Sequence, residues 1–239
     1  MNKYDFSLIL PCFNEAEHFT QSLKKIISSL DQTDYTYEII LVEDYSTDKT
    51  KGLVEAALTK YSDHNLSAIF HPQNIGRGQS VIDGFKQSQG KIIGFIDFDL
   101  EVGEWYLPKF IRVVESGYDV ANAWRIYDFN LRSLIRWLSS KGYVWLQKQL
   151  INLPFHDTEA GYKFFNRAKI MPLINQCHYQ GWFFDTEILA LAAKKHLKIK
   201  EIPVAFVRRE DKTSTVRLIP DSLGFLKNLI IFSWKFKHV

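Results

Sequence analysis

Lys91-Ile-Ile-Gly-Phe-Ile-Asp-Phe-Asp-Leu-Glu101 is the stretch on which the predicted fold depends, because an apolar run ends there in three carboxylates at alternate positions. Alternate residues of a strand point to the same side, so Asp97, Asp99 and Glu101 would lie together. Like charges at the end of a buried strand are unfavourable unless a cation neutralises them, and divalent cations such as Mg²⁺ prefer carboxylate oxygens. The stretch therefore predicts a metal site, and the alternative is a strand that runs into a solvated acidic loop.

Shorter apolar runs before this stretch have the same design, a strand followed by a helix. Residues 6–10, 38–42 and 67–70 are strand-like, and each is followed by apolar residues at helical spacing. Asn14 and the run 46–50 are placed to cap the first two of these helices. Strands that alternate with helices at this pace predict an α/β fold, with a mostly parallel central sheet and helices on both of its faces.

Polar residues also follow the first two predicted strands. Asn14 and Glu15 come after the first strand, and Glu43 and Asp44 come after the second. In parallel sheets the carboxyl ends of the strands meet at one edge, where ligands bind. Acidic residues at three strand ends on one edge are hard to explain by packing, so this convergence favours the metal site over the solvated loop.

The composition is that of a globular protein. The 239 residues are 46% hydrophobic and 24% charged, which predicts one domain with appendages. The net charge of +3 is too small to indicate a nucleic-acid partner. Cys12 and Cys177 are far apart, which argues against a zinc site and against a disulfide-rich secreted fold. The start of the chain has no signal-peptide pattern and no apolar run reaches about 18 residues, so we expect a cytoplasmic protein.

Two later segments have features of helices that contact membranes. Residues 131–151 combine apolar positions with a basic face, which fits either a core helix with a solvated face or a helix on a membrane surface. Residues 218–239 predict an amphipathic C-terminal helix, with lysines among the apolar residues. This helix is too short and too charged at its end to span a bilayer, so we expect it to pack on a partner or lie in a lipid interface.

Six blocks, taken in order, resemble those of a known family. They are residues 10–15 (LPCFNE), 42–50 (VEDYSTDKT), 74–78 (NIGRG), 95–101 (FIDFDLE), 157–163 (DTEAGYK) and 201–204 (EIPV). Together they resemble family 2 inverting glycosyltransferases of the GT-A fold, and they are most similar to the branch of dolichyl-phosphate mannosyltransferases and polyprenyl-phosphate glycosyltransferases. The resemblance implies a GT-A domain at 1–217, with a nucleotide-binding half at 1–103 and an acceptor half at 104–217, followed by the helix at 218–239.

The resemblance also implies which residues bind the donor and its metal. The implied nucleotide-sugar site consists of Pro11, Asn14, Glu15, Glu43, Asp44, Arg77, Asp97, Lys163, Arg209 and Ser214. Arg209 and Ser214 belong to a loop that would close over the donor. The implied ligands of Mg²⁺ or Mn²⁺ are Asp97, Asp99 and Glu101.

Roles on the acceptor side come from the same resemblance. The implied catalytic residues are Asp99, Asp157 and Arg125. Arg125, with Arg136 as a further candidate, would face an acceptor phosphate, and Asp157 and Lys163 would border the sugar.

The expected chemistry leaves the acceptor open. A metal held by Asp97 and Asp99 can neutralise the diphosphate leaving group of a nucleotide sugar. A hydroxyl acceptor would also need a base, for which Asp157 or Glu159 is available, whereas a lipid phosphate is already anionic and needs cations such as Arg125. We therefore expect an enzyme that moves a hexose from a GDP- or UDP-sugar to a polyprenyl phosphate, bound peripherally at the cytoplasmic face of a membrane. The alternatives are transfer to a hydroxyl of a glycan or glycolipid, and a noncatalytic nucleotide-sugar-binding protein.

Overall fold

The computed structural model of this chain describes residues 2–127, 142, 146–208 and 218–238. The strands are β1 (Tyr4–Cys12), β2 (Tyr37–Glu43), β3 (Leu66–Phe70), β4 (Gly90–Ile96), β5 (Val120–Tyr127), β6 (Tyr162–Asn166) and β7 (Ile199–Phe206). The helices are α1 (Phe19–Asp31), α2 (Thr50–Lys60), α3 (Arg77–Gln87), α4 (Leu107–Glu115), α5 (146–151), α6 (Arg167–Ile174), α7 (Phe184–Lys194) and α8 (Leu218–His238). A single 3₁₀ turn, Glu104–Tyr106, precedes α4.

The strands form one mixed sheet in the order β3-β2-β1-β4-β6-β5-β7. Of the six strand pairings among the described residues, four are parallel, and the two antiparallel ones are those of β6 with β4 and with β5. This arrangement confirms the predicted α/β fold with a mostly parallel sheet. The carboxyl ends of β1, β2 and β4 lie along one edge, called the rim below.

The alternation of apolar residues along the strands places a core on each face of the sheet. Leu8 and Leu10 of β1 pack on one face with Leu23 of α1, and Ile9 packs on the other face with Phe85 of α3. Side chains of a strand point alternately to its two faces, so a strand covered on both sides is apolar at consecutive positions. The central strands are therefore continuously apolar up to the residues of the rim.

One predicted helix cap is wrong. Helix α1 begins at Phe19 with His18 at its N-cap position, and His18 makes no capping bond through its side chain. Asn14 lies well before that point, and its Oδ1 accepts a hydrogen bond from the backbone N–H of Thr47 at 2.8 Å. A side chain that could cap its own helix instead joins the loops that follow β1 and β2.

The C-terminal segment is helical, as predicted. Leu229 and Phe232 of α8 are buried in the core on the α3 side of the sheet, whereas Ile230 and Ile231 are exposed. Within the described ranges, no helix has both the length and the apolarity needed to cross a membrane. Most of the predicted helix at 131–151 lies outside the described residues, and α5 is its described C-terminal part.

Candidate active site

Asp44, directly after β2, organises the rim. Its Oδ1 accepts hydrogen bonds from Nδ1 of His71 at 2.8 Å and from the N–H of Ile75 at 3.0 Å, and its Oδ2 accepts one from the N–H of Gly76 at 2.9 Å. The buried carboxylate thus fixes the loop that leads into α3. Gly76 has a φ of 102°, a conformation that a side chain would strain. Contact between Asp44 and a nucleotide stays a prediction.

The loops after β1 and β2 are tied together by hydrogen bonds. Asn14 has a φ of 56° and contacts Thr47, and the N–H of Glu15 donates to Oγ1 of Thr50 at 2.8 Å. These bonds hold the two predicted nucleotide-binding segments in one surface. The structure therefore brings Asn14 and Glu15 next to the loop that carries Asp44.

Glu43 and Pro11 lie near the carboxyl ends of β2 and β1, next to the loops of the rim. Glu43 is almost fully buried, and its Oε1 accepts a hydrogen bond from the N–H of Ser46 at 2.6 Å. Pro11 lies at the end of β1 and pairs in register with β2. Tyr45, which lies between Asp44 and Ser46 in the sequence, has a φ of 62°, and its side chain is 56% exposed. A tyrosine in the left-handed region is uncommon and is typical of functional loops.

Asp97, directly after β4, is bound by the residue that follows Gly76. Arg77 Nε donates to Asp97 Oδ1 at 2.7 Å, and Nη2 lies 2.6 Å from the same oxygen. The consecutive residues Gly76 and Arg77 therefore connect the carboxylates of Asp44 and Asp97. The Asp97 N–H donates to the carbonyl of Gly161 at 2.9 Å. The structure thus brings the predicted donor residues of three loops to one place.

The acidic residues after β4 provide some of the oxygen ligands that a divalent cation requires. Asp97 and Asp99 supply hard oxygen donors, and the side chain of Asp97 is 38% exposed. Among the residues that the structure describes, no group of three or more acidic, histidine or cysteine side chains is arranged to hold a metal. Mg²⁺ is commonly held by one or two carboxylates together with substrate phosphates, so two aspartates and a diphosphate fit it. Asp99 Oδ1 accepts from the N–H of Glu101 at 3.2 Å, and the role of Glu101 as a metal ligand stays a prediction.

A buried charge cluster lies behind Asp97. Arg77 Nη1 donates to Oδ2 of Asp185 at 2.6 Å, and Nζ of Lys163 lies 3.4 Å from the other oxygen of Asp185. The rings of Phe95 and Trp182 lie on the guanidinium of Arg77, with centroids 5.2 and 5.1 Å from its central carbon. Sequence reasoning missed Asp185. The available signal was an acidic residue in the first turn of a helix that is otherwise rich in Ala and Leu.

Arg125 and Asp157 form a second ion pair beside this cluster. Arg125 Nε donates to Asp157 Oδ2 at 2.7 Å and Nη2 donates to Oδ1 at 3.0 Å, while the N–H groups of Glu159 and Ala160 also donate to Oδ1. Burial would raise the pKa of Asp157, but the charge and hydrogen bonds of Arg125 outweigh it and lower the pKa below its usual value. Burial raises the pKa of Glu159 to about 7, against a smaller lowering by Arg125.

A family model described as glycosyl transferase family 2 matches residues 7–179, which run from within β1 to beyond α6 and include every loop described above. The chain belongs to glycosyl transferase family 2. It is therefore a glycosyltransferase, and its α/β sheet is the GT-A sheet that the motifs predicted.

Curated relatives of this family 2 glycosyltransferase extend over nearly its whole length. Over 94% of this chain and 73% of the relative, it is 31% identical to a protein named dolichyl-phosphate beta-glucosyltransferase from Saccharomyces cerevisiae. Over 97% of this chain and 76% of the relative, it is 26% identical to the protein of that name from Dictyostelium discoideum.

Solved structures confirm the fold of the family 2 glycosyltransferase. Glucosyl-3-phosphoglycerate synthase from Mycobacterium tuberculosis, in complex with Mn²⁺, UDP-glucose and phosphoglyceric acid, superposes with a TM-score of 0.69 over 97% of this chain and 80% of the other. The sequence identity is 17%, so this similarity concerns the fold alone.

Some predicted residues of the glycosyltransferase are outside the part of the chain that the structure describes. They are Arg136, Arg209 and Ser214.

A cavity of about 780 Å³ lies between α1 and α4, lined by residues such as Lys24, Trp105 and Arg112. None of the predicted site residues lines it, so it is separate from the rim.

Proposed function

We propose that this glycosyltransferase moves a hexose from a GDP- or UDP-linked sugar to a polyprenyl phosphate, with Mg²⁺ or Mn²⁺, at the cytoplasmic face of a membrane. The observation that carries the proposal is the 31% identity, over 94% of the chain, to a protein named dolichyl-phosphate beta-glucosyltransferase. Glucose is therefore the first sugar to test. The arrangement of charge at the rim supports the same reaction.

The donor would bind where the loops after β1, β2 and β4 meet. When bound, a divalent cation supplies Lewis-acid stabilisation of the diphosphate leaving group. Asp97 and Asp99 would hold this cation. Arg77, which contacts Asp97 and Asp185, and Lys163, which contacts Asp185, add buried positive charge behind the carboxylates. Positive charge fixed near the leaving group stabilises the negative charge that develops on the phosphate oxygens.

The ion pair of Arg125 and Asp157 supports a phosphate acceptor. The Asp157 carboxylate accepts hydrogen bonds from the guanidinium of Arg125 and from three backbone N–H groups, and its lowered pKa makes it a weak base. A polyprenyl phosphate is anionic at neutral pH and attacks without the loss of a proton. Arg125, which is partly exposed, would attract and orient that phosphate.

Transfer to a hydroxyl of a glycan or glycolipid is the second candidate, and Glu159 is the observation that favours it. A base works best when its pKa lies near the working pH, and the pKa of Glu159 is about 7. Glu159 lies beside the Arg125 and Asp157 pair, with Oε2 3.9 Å from Arg125 Nη2. In this reaction Glu159, rather than Asp157, would remove the proton.

Membrane attachment would come from the exposed side of α8. Ile230, Ile231 and Trp234 are 52%, 41% and 67% exposed, and Lys227 is also exposed. Apolar and tryptophan side chains beside lysine are typical of a helix that lies in the lipid interface. The opposite side of α8 packs in the core, so attachment would hold the whole domain at the membrane surface.

The test combines each of three nucleotide-sugar donors with each acceptor and measures which product forms. UDP-glucose, GDP-mannose and UDP-N-acetylglucosamine are each mixed with Mn²⁺ and either a short polyprenyl phosphate, a glycan or buffer, and the product is identified by mass spectrometry. We expect a glycosylated polyprenyl phosphate, which Asp99→Ala does not make and Glu159→Gln still makes. A glycan product that is lost in Glu159→Gln would establish the second candidate instead. The absence of transfer with every pair would contradict the proposed function.

A further inference from the structure

Arg77 binds one of the two carboxylate oxygens of Asp97. Both Nε and Nη2 of Arg77 lie on Asp97 Oδ1, at 2.7 and 2.6 Å. Oδ2 lies on the side of Gly161, where a Cβ atom would overlap with it. The carboxylate is thus held in one orientation, with one oxygen engaged by the protein.

The guanidinium of Arg77, which binds Asp97, also forms an ion pair with Asp185. Nη1 of Arg77 lies 2.6 Å from Asp185 Oδ2, and the side chain of Asp185 is only 2% exposed. Lys163, which is fully buried, lies 3.4 Å from Asp185 Oδ1 and donates to the carbonyl of Ala160. Two buried cations therefore share one buried carboxylate, which fixes the position of the arginine.

Close packing leaves this assembly little freedom. The rings of Phe95 and Trp182 both lie against the Arg77 guanidinium, with centroids 5.2 and 5.1 Å from its central carbon. A Cβ atom on Gly161 would also overlap with Nη2 of Arg77, and one on Gly78 would lie 2.6 Å from Cβ of Phe184, the residue before Asp185. The start of α3, which carries Arg77, and the start of α7, which carries Asp185, approach closely at Gly78, which has no side chain, and Arg77 and Asp97 approach Gly161 for the same reason.

We propose that Asp185 is a positioning residue for the cation site. Through Arg77 it holds Oδ1 of Asp97 and so fixes the orientation in which this carboxylate, which is 38% exposed, would bind a divalent cation. Residues that hydrogen-bond a ligating carboxylate commonly contribute about 10- to 100-fold to metal affinity. This inference rests on the proposed function, and it adds a residue on α7 that contacts neither the cation nor the nucleotide.

The test measures how much Mn²⁺ strengthens nucleotide binding. UDP and GDP are titrated into the protein by calorimetry, with and without Mn²⁺, and the ratio of the two affinities is the metal-linked gain. The variants are Asp185→Asn, which removes the charge that holds the arginine, and Arg77→Lys, which keeps the positive charge but loses the planar fork. The matched control is Glu38→Gln, a buried carboxylate at the opposite end of the strands that bonds Ser7 and Gln89.

We expect Asp185→Asn and Arg77→Lys to reduce the metal-linked gain about 10- to 100-fold and Glu38→Gln to leave it within about twofold. A gain that is unchanged or larger in Asp185→Asn would overturn the inference. If Asp185→Asn does not fold, Arg77→Lys decides the matter, because a gain equal to that of the wild type would mean that charge alone suffices. A wild-type protein that binds neither nucleotide with Mn²⁺ would contradict the proposed function itself, which is a different result.

Discussion

Arg125 binds Asp157 through both carboxylate oxygens, with Nε 2.7 Å from Oδ2 and Nη2 3.0 Å from Oδ1. The two residues come from β5 and from the segment before β6, so the pair joins β5 to the loop that carries Glu159. This parallel pairing of a guanidinium with a carboxylate is the strongest geometry for such a contact. It makes Asp157 a structural partner of Arg125, whatever further role the residue has.

Loss of this pair should destabilise the protein. Asp157→Asn leaves the guanidinium of Arg125 largely buried without an anion on that side, so we expect the free energy of unfolding to fall by about 3 kcal/mol. Urea denaturation measures the change. The double variant Arg125→Leu/Asp157→Asn is the control, because it removes both charges and should recover part of the loss. A decrease below about 1 kcal/mol in Asp157→Asn would contradict the strength assigned to the pair.

Glu159 should make stability depend on pH. Its pKa is raised from 4.5 to about 7 in the folded protein, so between these values the unfolded chain loses the proton first and stability falls as pH rises. The contribution is complete below pH 4.5 and is lost as the pH passes about 7. The side chain is 29% exposed, so we expect a change of about 1–2 kcal/mol, which Glu159→Gln removes. Parallel stability profiles for the two proteins between pH 5 and 8 would disprove the assignment.

Gly161 should be indispensable for the cation site. The added methyl group of Gly161→Ala would overlap with Asp97 Oδ2 and with Nη2 of Arg77, so one of these groups must move. We expect the metal-linked gain in nucleotide affinity to fall at least about tenfold. Gly117→Ala is a poor control because of its positive φ, whereas Gly52→Ala on α2 meets no atom within 4 Å and should leave the gain unchanged. Equal gains in the two variants would refute the prediction.

Tyr45 should carry a backbone penalty that glycine relieves. Its φ of 62° costs an ordinary residue roughly 1 kcal/mol, and its side chain is 56% exposed and buries little surface. Tyr45→Gly and Tyr45→Ala both lose the ring, but only glycine tolerates the backbone. We therefore expect the glycine variant to be more stable than the alanine variant by about 1 kcal/mol in urea denaturation. The reverse order would show that this loop is unstrained.

The exposed side of α8 should bind membranes. Replacing Ile230, Ile231 and Trp234 with Ser removes apolar surface that is exposed in the folded protein, so the core should be unaffected. We expect the triple variant to lose at least about tenfold in partitioning to vesicles of phosphatidylglycerol and phosphatidylcholine, measured by sedimentation. Trp105→Ser is the control, because Trp105 is 59% exposed on the α4 side of the sheet. Equal sedimentation of both variants and the wild type would exclude α8 as the attachment surface.

The sequence predicted the sheet and the acidic residues directly after its strands. It did not predict that β4 ends at Ile96, so the strand alternation expected to place Asp99 and Glu101 beside Asp97 does not occur. Continuous apolar runs, each ending in polar residues, are a local pattern, and they indicated parallel strands whose carboxyl ends share a rim. Loop residues such as Asn14 and Asp97 were assigned to one site because strand ends of this kind meet. The order of the motifs identified the family.

The bonding partners of these residues could not be predicted in the same way. Asn14 was expected to cap α1, because a side chain that accepts hydrogen bonds before a helix usually does so, but it bonds Thr47 on the next loop. The roles assigned to Asp157 toward the sugar and to Arg125 toward a phosphate stay predictions, but the bond between these two residues was not predicted. Each side chain has several possible partners, and the partner that it meets depends on how the loops lie against each other.

Apolar periodicity was therefore enough to predict the strands, the helices and the acidic residues that follow the strands, because it reflects contacts that recur along each element. The role of Asp185 could be inferred only from the folded protein, because Arg77 and Asp185 are 108 residues apart and meet through a side-chain contact. A single contact of that kind produces no repeating pattern of residues in the sequence. It exists because α3 and α7 pack closely at Gly78, which brings the buried carboxylate of Asp185 to the arginine that also holds Asp97.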